Sequence, residues 1–133
     1  MKKTINRFLG LCIYLLAAQS ASAQFFPGEL WKDNNGNRIN AHGGGFLFHG
    51  DKYYWFGEHK ISGPNGNKSM VGVHVYSSKD LYKWHDEGIA LSMHEDTNSL
   101  FQIGCVVERP KVIFNKKTNK FIMWFHHELK EQG

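Results

Sequence analysis

Apolar residues in this chain occur in short runs bounded by turn-forming residues. The runs are rich in aromatic and β-branched side chains, which is typical of β-strands. They span residues 46–48, 53–56, 71–76, 112–114 and 121–125. After the first 23 residues, no segment keeps the helical apolar period of about 3.6 residues for long enough to predict an amphipathic helix. The pattern therefore predicts an all-β chain.

The segments between the runs predict antiparallel connections. Residues 49–52 predict a tight hairpin turn, and residues 115–120 predict a hairpin with a longer turn. Residues 77–81 predict one short helical turn, capped by serines, that leads through Trp84 into a further short strand. Regularly spaced antiparallel strands are typical of a sandwich, a barrel or a propeller.

An internal repeat favours the propeller. Residues 42–58 and 108–126 share the same order of polar residue, apolar strand, polar turn and aromatic strand. The offset is 66 residues before the turn and 68 residues after it. A unit of that length with four strands corresponds to one propeller blade with long loops. The sequence predicts one complete blade at residues 40–90, followed by half of a second blade.

Residues 1–23 have the features of a secretory signal peptide. A basic start precedes an apolar core at residues 8–18, and small residues precede a cleavage point after Ala23. The apolar core is shorter than the roughly 20 residues that a membrane-spanning helix needs. We expect a secreted or periplasmic protein with residues 24–133 as the mature part.

The charge and cysteine content of the chain bear on its partners and on its disulfide bonds. The whole chain carries a formal charge of +4, but three of its sixteen basic residues lie in the leader, so the mature part is nearly neutral. That balance gives no reason to expect a nucleic-acid partner. Cys105 is the only cysteine of the mature part, so it forms no internal disulfide and is predicted to be a small core residue. No metal or cofactor motif has the required ligand spacing.

Polar residues at the starts of two predicted inner strands are candidate functional residues. His42 precedes the glycines at 43–45, which would let a ligand approach the backbone closely. Glu108 occupies the equivalent position in the second repeat. The innermost strands of a propeller line its axis, so both side chains would project toward one central funnel.

Four segments together resemble the start of glycoside hydrolase family 43 enzymes, in the branch that contains exo-β-1,3-galactanases. They are INAHGGG at residues 39–45, YYWFGE at 53–58, YSSKDL at 76–81 and ERPKV at 108–112. The resemblance covers residues 26–127 and implies a five-bladed β-propeller of roughly 300 residues. It also implies hydrolysis of glycosidic bonds with inversion by separated carboxyl groups.

The resemblance implies roles for particular residues. Glu108 matches the glutamate of the Glu-Arg-Pro-Lys motif that this branch requires for activity, and the general acid is expected beyond residue 133. Most of the family has its base aspartate where this chain has Ala41 and His42. That departure fits the galactanase-like branch and leaves the base unidentified.

Three further residues are predicted to contact substrate, and each candidate has a structural alternative. The predicted substrate contacts are His42, Glu58 and Arg109. In the alternatives, His42 is a structural histidine, Glu58 holds a loop and Arg109 is an internal strut. Glu108 itself would be the partner of a neighbouring cation, either Arg109 or Lys111. Three tryptophans are predicted to be core residues: Trp55, Trp84 and Trp124.

The sequence therefore predicts an inverting glycosidase that acts on galactose- or arabinose-containing plant polysaccharide. We expect no cofactor or metal, no nucleic-acid or membrane partner, and a monomer when full-length. The alternative is a non-catalytic carbohydrate-binding propeller or a decayed enzyme, because the usual aspartate is missing. We expect residues 24–133 to be an N-terminal fragment that neither hydrolyses sugar nor folds cooperatively alone.

Overall fold

The computed structural model describes residues 27–132, and the predicted leader at residues 1–23 lies outside them. The described residues form six β-strands and one short 3₁₀ helix, Gly66–Ser69. The strands are β1 His42–His49, β2 Lys52–Lys60, β3 Met70–Ser78, β4 His85–Ser92, β5 Val106–Asn115 and β6 Lys120–Glu128. The all-β prediction is confirmed. No helix in this part of the chain has the length and apolar character to cross a membrane.

The strands form two antiparallel sheets. The first sheet has the order β1-β2-β3-β4, and the second consists of β5 and β6. Strand β5 packs mainly against β1 and β2 of the first sheet. This is the arrangement predicted for one blade and the inner half of a second, with both predicted hairpins in place. A closed ring of blades is not seen within residues 27–132.

The segment after β3 differs from the prediction. Residues 77–81 were predicted as a helical turn, but β3 continues through Ser78 and irregular bends follow. The Ser78 hydroxyl accepts hydrogen bonds from the N–H groups of Asp80 (3.2 Å) and Leu81 (2.9 Å). Because the side-chain oxygen takes these donors, no helical hydrogen bonds form, and Leu81 adopts a left-handed conformation with φ 64°. The serine caps a turn rather than a helix.

Apolar side chains form a core on each face of the first sheet. One core contains Ile39, Ala41, Tyr76 and Trp84. The other lies toward the second sheet and contains Met70, Val73, Cys105 and Val107. Cys105 is completely buried, which confirms its prediction as a core residue.

The prediction that Trp124 is a core residue is wrong for the described part of the chain. Trp84 is buried and Trp55 packs beside it, as predicted. Trp124 is 65% exposed. Side chains alternate along a strand, and the neighbouring Met123 and Phe125 of β6 face the core. Trp124 therefore points away from the first sheet.

One glycine is required by close packing of two strands. Gly57 of β2 lies against Ala41, immediately before β1, and a side-chain Cβ at Gly57 would overlap the Ala41 backbone. Backbone cannot move aside as a flexible side chain can. This contact fixes how the start of β1 crosses the end of β2.

We predict that Gly57→Ala lowers the free energy of unfolding of the full-length protein by about 2 kcal/mol or more, because overpacking displaces backbone. Urea denaturation followed by tryptophan fluorescence measures the change. Gly50→Asn is the control: Gly50 has a left-handed φ of 56° in an open turn, and asparagine tolerates that conformation. Equal stability of Gly57→Ala and the wild type would contradict the packing argument.

Candidate active site

The candidate site lies where the starts of β1 and β5 approach the end of β2. Strand β1 begins with an irregular pairing: His42 is opposite Glu58, but Gly45 is opposite Phe56. Strand β1 thus has one residue more than β2 in this interval, which is a β-bulge. Gly43 in this bulge has a left-handed φ of 53°.

Strand β5 begins with the same bulge. Glu108 is opposite His126, but Lys111 is opposite Trp124, so β5 again has one extra residue. Arg109 has a φ of 54°, which nearly equals that of Gly43 at the equivalent position of the first repeat. The internal repeat is therefore confirmed in backbone detail, and His42 and Glu108 occupy equivalent positions.

Arg109 adopts a backbone conformation that favours glycine, and Glu58 stabilises it. A left-handed conformation costs a non-glycine residue about 1–2 kcal/mol. The Arg109 N–H donates a 2.8 Å hydrogen bond to Glu58 Oε1. Glu58 Oε2 lies 2.6 Å from the Lys60 ammonium, and Glu58 is only 4% exposed. Glu58 is thus a buried link between the two sheets, and its predicted contact with substrate stays a prediction.

The glycines at residues 43–45 make room for groups of the chain itself. A Cβ at Gly43 would overlap the Glu58 carboxylate, and one at Gly44 would overlap the Phe56 carbonyl oxygen. At Gly45 a Cβ would lie 2.7 Å from Cδ of Lys111. The three glycines were expected to leave this space for an approaching ligand. The structure corrects that reason, because neighbouring strands fill the space.

Of the two cations suggested by the sequence as partners of Glu108, the structure shows Arg109 and not Lys111, and it adds Lys60. Lys111 donates to the Gly44 carbonyl at 2.7 Å, so it binds the β1 backbone. Arg109 Nη2 lies 3.9 Å from Glu108 Oε2, with 75% of the arginine side chain exposed, so Arg109 is not an internal strut. Lys60 Nζ lies 3.8 Å from Glu108 Oε1. Glu108 is itself 16% exposed and lies between Lys60 and Arg109.

Sequence reasoning missed Lys60. It lies two residues after Glu58 on β2, so strand alternation places both side chains on one face of the sheet. That spacing was the only available signal, and it did not reveal the approach of β5 to the same face. His42, by contrast, was predicted at this position, and its residue is exposed at the start of β1.

Two other features of the described residues bear on binding. No group of three or more His, Cys, Asp or Glu side chains within residues 27–132 is arranged to hold a metal ion. An apolar cavity of about 450 Å³ lies between the sheets, lined by residues that include Phe56, Val75 and Met123. Sugar hydroxyls need polar partners, so the charged site around Glu108 suits a sugar better than this cavity.

Comparisons with known structures show which proteins this chain is similar to. The chain is 54% identical to a family 43 β-1,3-galactosidase solved with galactodeoxynojirimycin, with a TM-score of 0.73 over 80% of this chain and 30% of that one. The resemblance to glycoside hydrolase family 43 is confirmed. An exo-β-1,3-galactanase from Clostridium thermocellum is 42% identical with a TM-score of 0.65, and the match covers 78% of this chain and 21% of that enzyme.

A third family 43 structure agrees. It is a variant of an exo-β-1,3-galactanase from Phanerochaete chrysosporium with β-1,3-galactotriose, 42% identical, with a TM-score of 0.70 over 80% of this chain and 24% of that enzyme. The chain thus spans less than a third of the length of each of these three proteins. No family model matches the chain, and no curated protein matches it either.

A second polar cluster lies on the face of the first sheet opposite to Glu58 and Lys60. The His59 and His74 rings stack with their Nδ1 atoms 2.8 Å apart. His74 Nε2 lies 2.6 Å from Asp86 Oδ1, and the Tyr76 hydroxyl lies 3.3 Å from His74 Nδ1. A hydrogen bond between the two Nδ1 atoms requires that one of them carries a proton and the other accepts it.

Three groups in this second cluster have pKa values shifted from their ordinary values. Burial lowers the pKa of His59, and the adjacent His74 lowers it further. The hydrogen bond from His74 is the main cause that lowers the pKa of Asp86. Burial raises the pKa of Tyr76. The cluster therefore favours a neutral His59 beside an ionised Asp86.

We predict that part of the acid destabilisation of the protein comes from His59. In the unfolded chain His59 takes up a proton near its ordinary pKa of 6.5, whereas the folded chain resists protonation to lower pH. The stabilisation is therefore fully present above that pH and is lost as the pH falls below it. His59→Gln should make the fall in melting temperature between pH 6.5 and about 5 shallower.

Thermal melts of the full-length protein across this pH range measure the effect. His94→Gln is the control, since His94 is exposed and lies away from the His59 cluster. A fall of equal steepness in His59→Gln and the wild type would refute the role of His59.

Proposed function

We propose that the full-length protein is a glycoside hydrolase that cleaves galactosides, with β-1,3-linked galactose as the first substrate class to test. The observation that carries the proposal is the start of β5, where Glu108 projects from a bulge between two cations in a chain 54% identical to a β-1,3-galactosidase. The bulge directs a partly exposed carboxylate toward the ends of β1 and β2.

Glu108 is the carboxylate best placed to act on a substrate. Glu58 has one oxygen bonded to the Arg109 N–H and the other to Lys60. Glu108 makes no side-chain hydrogen bond among residues 27–132, so its oxygens are open to a bound group. In the proposed inverting reaction, Glu108 contributes a carboxylate to the site. A residue beyond position 133 is expected to supply the general acid. Inversion needs the acid and base carboxyls about 6.5–9.5 Å apart.

Arg109, which lies beside Glu108, and His42 are the candidate sugar contacts. The guanidinium of Arg109 is a fork of donors that suits paired hydroxyl or ring oxygens. His42 lies at the equivalent position of the first repeat, also exposed. We propose that both bind the sugar that Glu108 faces.

The proposal includes the location and form of the protein. The signal-peptide pattern predicted at residues 1–23 favours export, and a polysaccharide substrate would be met outside the cytoplasm. We propose a secreted or periplasmic monomer that uses no cofactor and degrades galactose- or arabinose-containing plant polysaccharide.

A non-catalytic carbohydrate-binding protein is the second candidate. It is favoured by Ala41, a buried residue packed against Gly57 where most of the family has the base aspartate. Release of galactose from β-1,3-galactobiose, measured on the full-length protein, separates the candidates. Binding of the disaccharide without hydrolysis would replace the first candidate with the second.

We predict that Glu108→Gln lowers kcat/KM of the full-length protein by a factor of about 10³ or more while the melting temperature changes little. The amide keeps the shape of the side chain but cannot ionise. Glu87→Gln is the control, because Glu87 lies on β4 and pairs with Lys52 at 3.9 Å on the surface. Hydrolysis by Glu108→Gln at the wild-type rate would reject the catalytic role.

We predict that Arg109→Gly preserves stability but weakens substrate binding. Glycine relieves the strain at φ 54° but adds freedom to the unfolded chain, so the net change in stability should stay within about 1 kcal/mol. KM should rise by about tenfold, because the guanidinium is lost. Asn119→Gly, at the same φ of 54° in the β5–β6 turn, is the control and should leave KM unchanged. An unchanged KM in Arg109→Gly would show that the arginine side chain does not bind substrate.

A further inference from the structure

The ammonium group of Lys60 joins three separate parts of the structure. It lies 2.6 Å from Glu58 Oε2 on its own strand and donates to Asn67 Oδ1 at 2.7 Å in the following loop. It also lies 3.8 Å from Glu108 Oε1 on β5. Only 19% of the side chain is exposed. An ammonium group has three donors, and these neighbours belong to three different segments of the chain.

The backbone of Lys60 is held as firmly as its side chain. The Asn40 side chain donates to the Lys60 carbonyl at 2.9 Å and accepts from the Lys60 N–H at 3.2 Å. A register shift between His59 and Lys60 lies at the same point of the β2–β3 pairing. The two hydrogen bonds to Asn40 thus fix the Lys60 backbone at the end of β2.

Two cations lie near the Glu108 carboxylate, and they differ in how firmly they are held. Its two neighbouring cations are Lys60 at 3.8 Å and Arg109 at 3.9 Å. The guanidinium of Arg109 is 75% exposed, so water competes for it and screens its charge. The Lys60 ammonium group is instead bonded to Glu58 and Asn67 and is mostly buried. It is therefore the better fixed of the two charges beside Glu108.

We propose that Lys60 is a positioning residue for the reaction: its ammonium group, paired with buried Glu58, holds the Glu108 carboxylate aimed at the substrate. The inference rests on the proposed function, because it gives Lys60 a purpose only if Glu108 reacts. It assigns Lys60 no contact with the sugar. Loss of Lys60 should therefore impair turnover more than binding.

The test compares Lys60→Met with Lys52→Met in the full-length protein. Lys52 is on the same strand but pairs with Glu87 at 3.9 Å, at the other end of the sheet. With β-1,3-galactobiose, Lys60→Met should lower kcat by about tenfold or more while KM stays within about threefold. Lys60→Arg, which keeps the cation, should recover part of the lost kcat. Lys52→Met should match the wild type in both constants.

A second measurement does not depend on activity. In protein with ¹³C-labelled glutamate, the Glu108 carboxyl resonance is followed against pH and assigned through Glu108→Gln. Its titration midpoint should move to higher pH in Lys60→Met, since a neighbouring cation favours the ionised carboxylate. If Lys60→Met does not fold, Lys60→Gln, which removes the charge but keeps a hydrogen-bond donor for buried Glu58, should show the same movement.

The outcomes separate this inference from the proposed function. A wild-type protein that does not hydrolyse galactosides overturns the proposed function, and the NMR titration alone then decides whether Lys60 controls Glu108. An unchanged Glu108 midpoint overturns the inference about Lys60 whether or not the protein is active. An active Lys60→Met variant with wild-type kcat also overturns it.

Discussion

The architecture of the site depends on one buried carboxylate. Glu58 is 4% exposed, and a buried charge is stable only when it is paired and hydrogen-bonded. Lys60 supplies the pairing charge, and the Arg109 N–H supplies the hydrogen bond from the second sheet. The glycine at residue 43 is needed because a Cβ there would overlap this carboxylate. Three chain segments are thus fixed around a single side chain.

A comparison of two free energies explains why a non-glycine residue is tolerated at the β5 bulge. The left-handed conformation costs Arg109 about 1–2 kcal/mol, whereas a hydrogen bond to a charged acceptor contributes about 1.5–3 kcal/mol. The bond from Arg109 to Glu58 therefore offsets the backbone strain. In the first repeat, Gly43 takes the same conformation without such a bond and needs none. The two bulges share their geometry but reach it by different means.

Local patterns predicted the strands and the equivalence of His42 with Glu108, because both follow from alternation and from the repeat. The predicted helical turn does not form, because the Ser78 hydroxyl accepts hydrogen bonds from backbone N–H groups that a helical turn would use. Lys60 was missed for a different reason. Its importance arises from the approach of β5 to β2, and no spacing within one strand reports a contact between residues 60 and 108. Trp124 was misassigned because composition does not say which face of β6 is covered.

The end of β2 divides its polar groups between the two faces of the first sheet. Glu58 and Lys60 point toward β5, while His59 between them points to the opposite face and bonds to His74. Alternation alone produces this division. Each face then needs its own charge balance: a carboxylate and an ammonium on one, and a histidine pair with Asp86 on the other. Residues 58–60 are consecutive in β2, so the two networks share one stretch of backbone. A substitution that shifts this backbone on one face therefore also shifts the polar groups on the other.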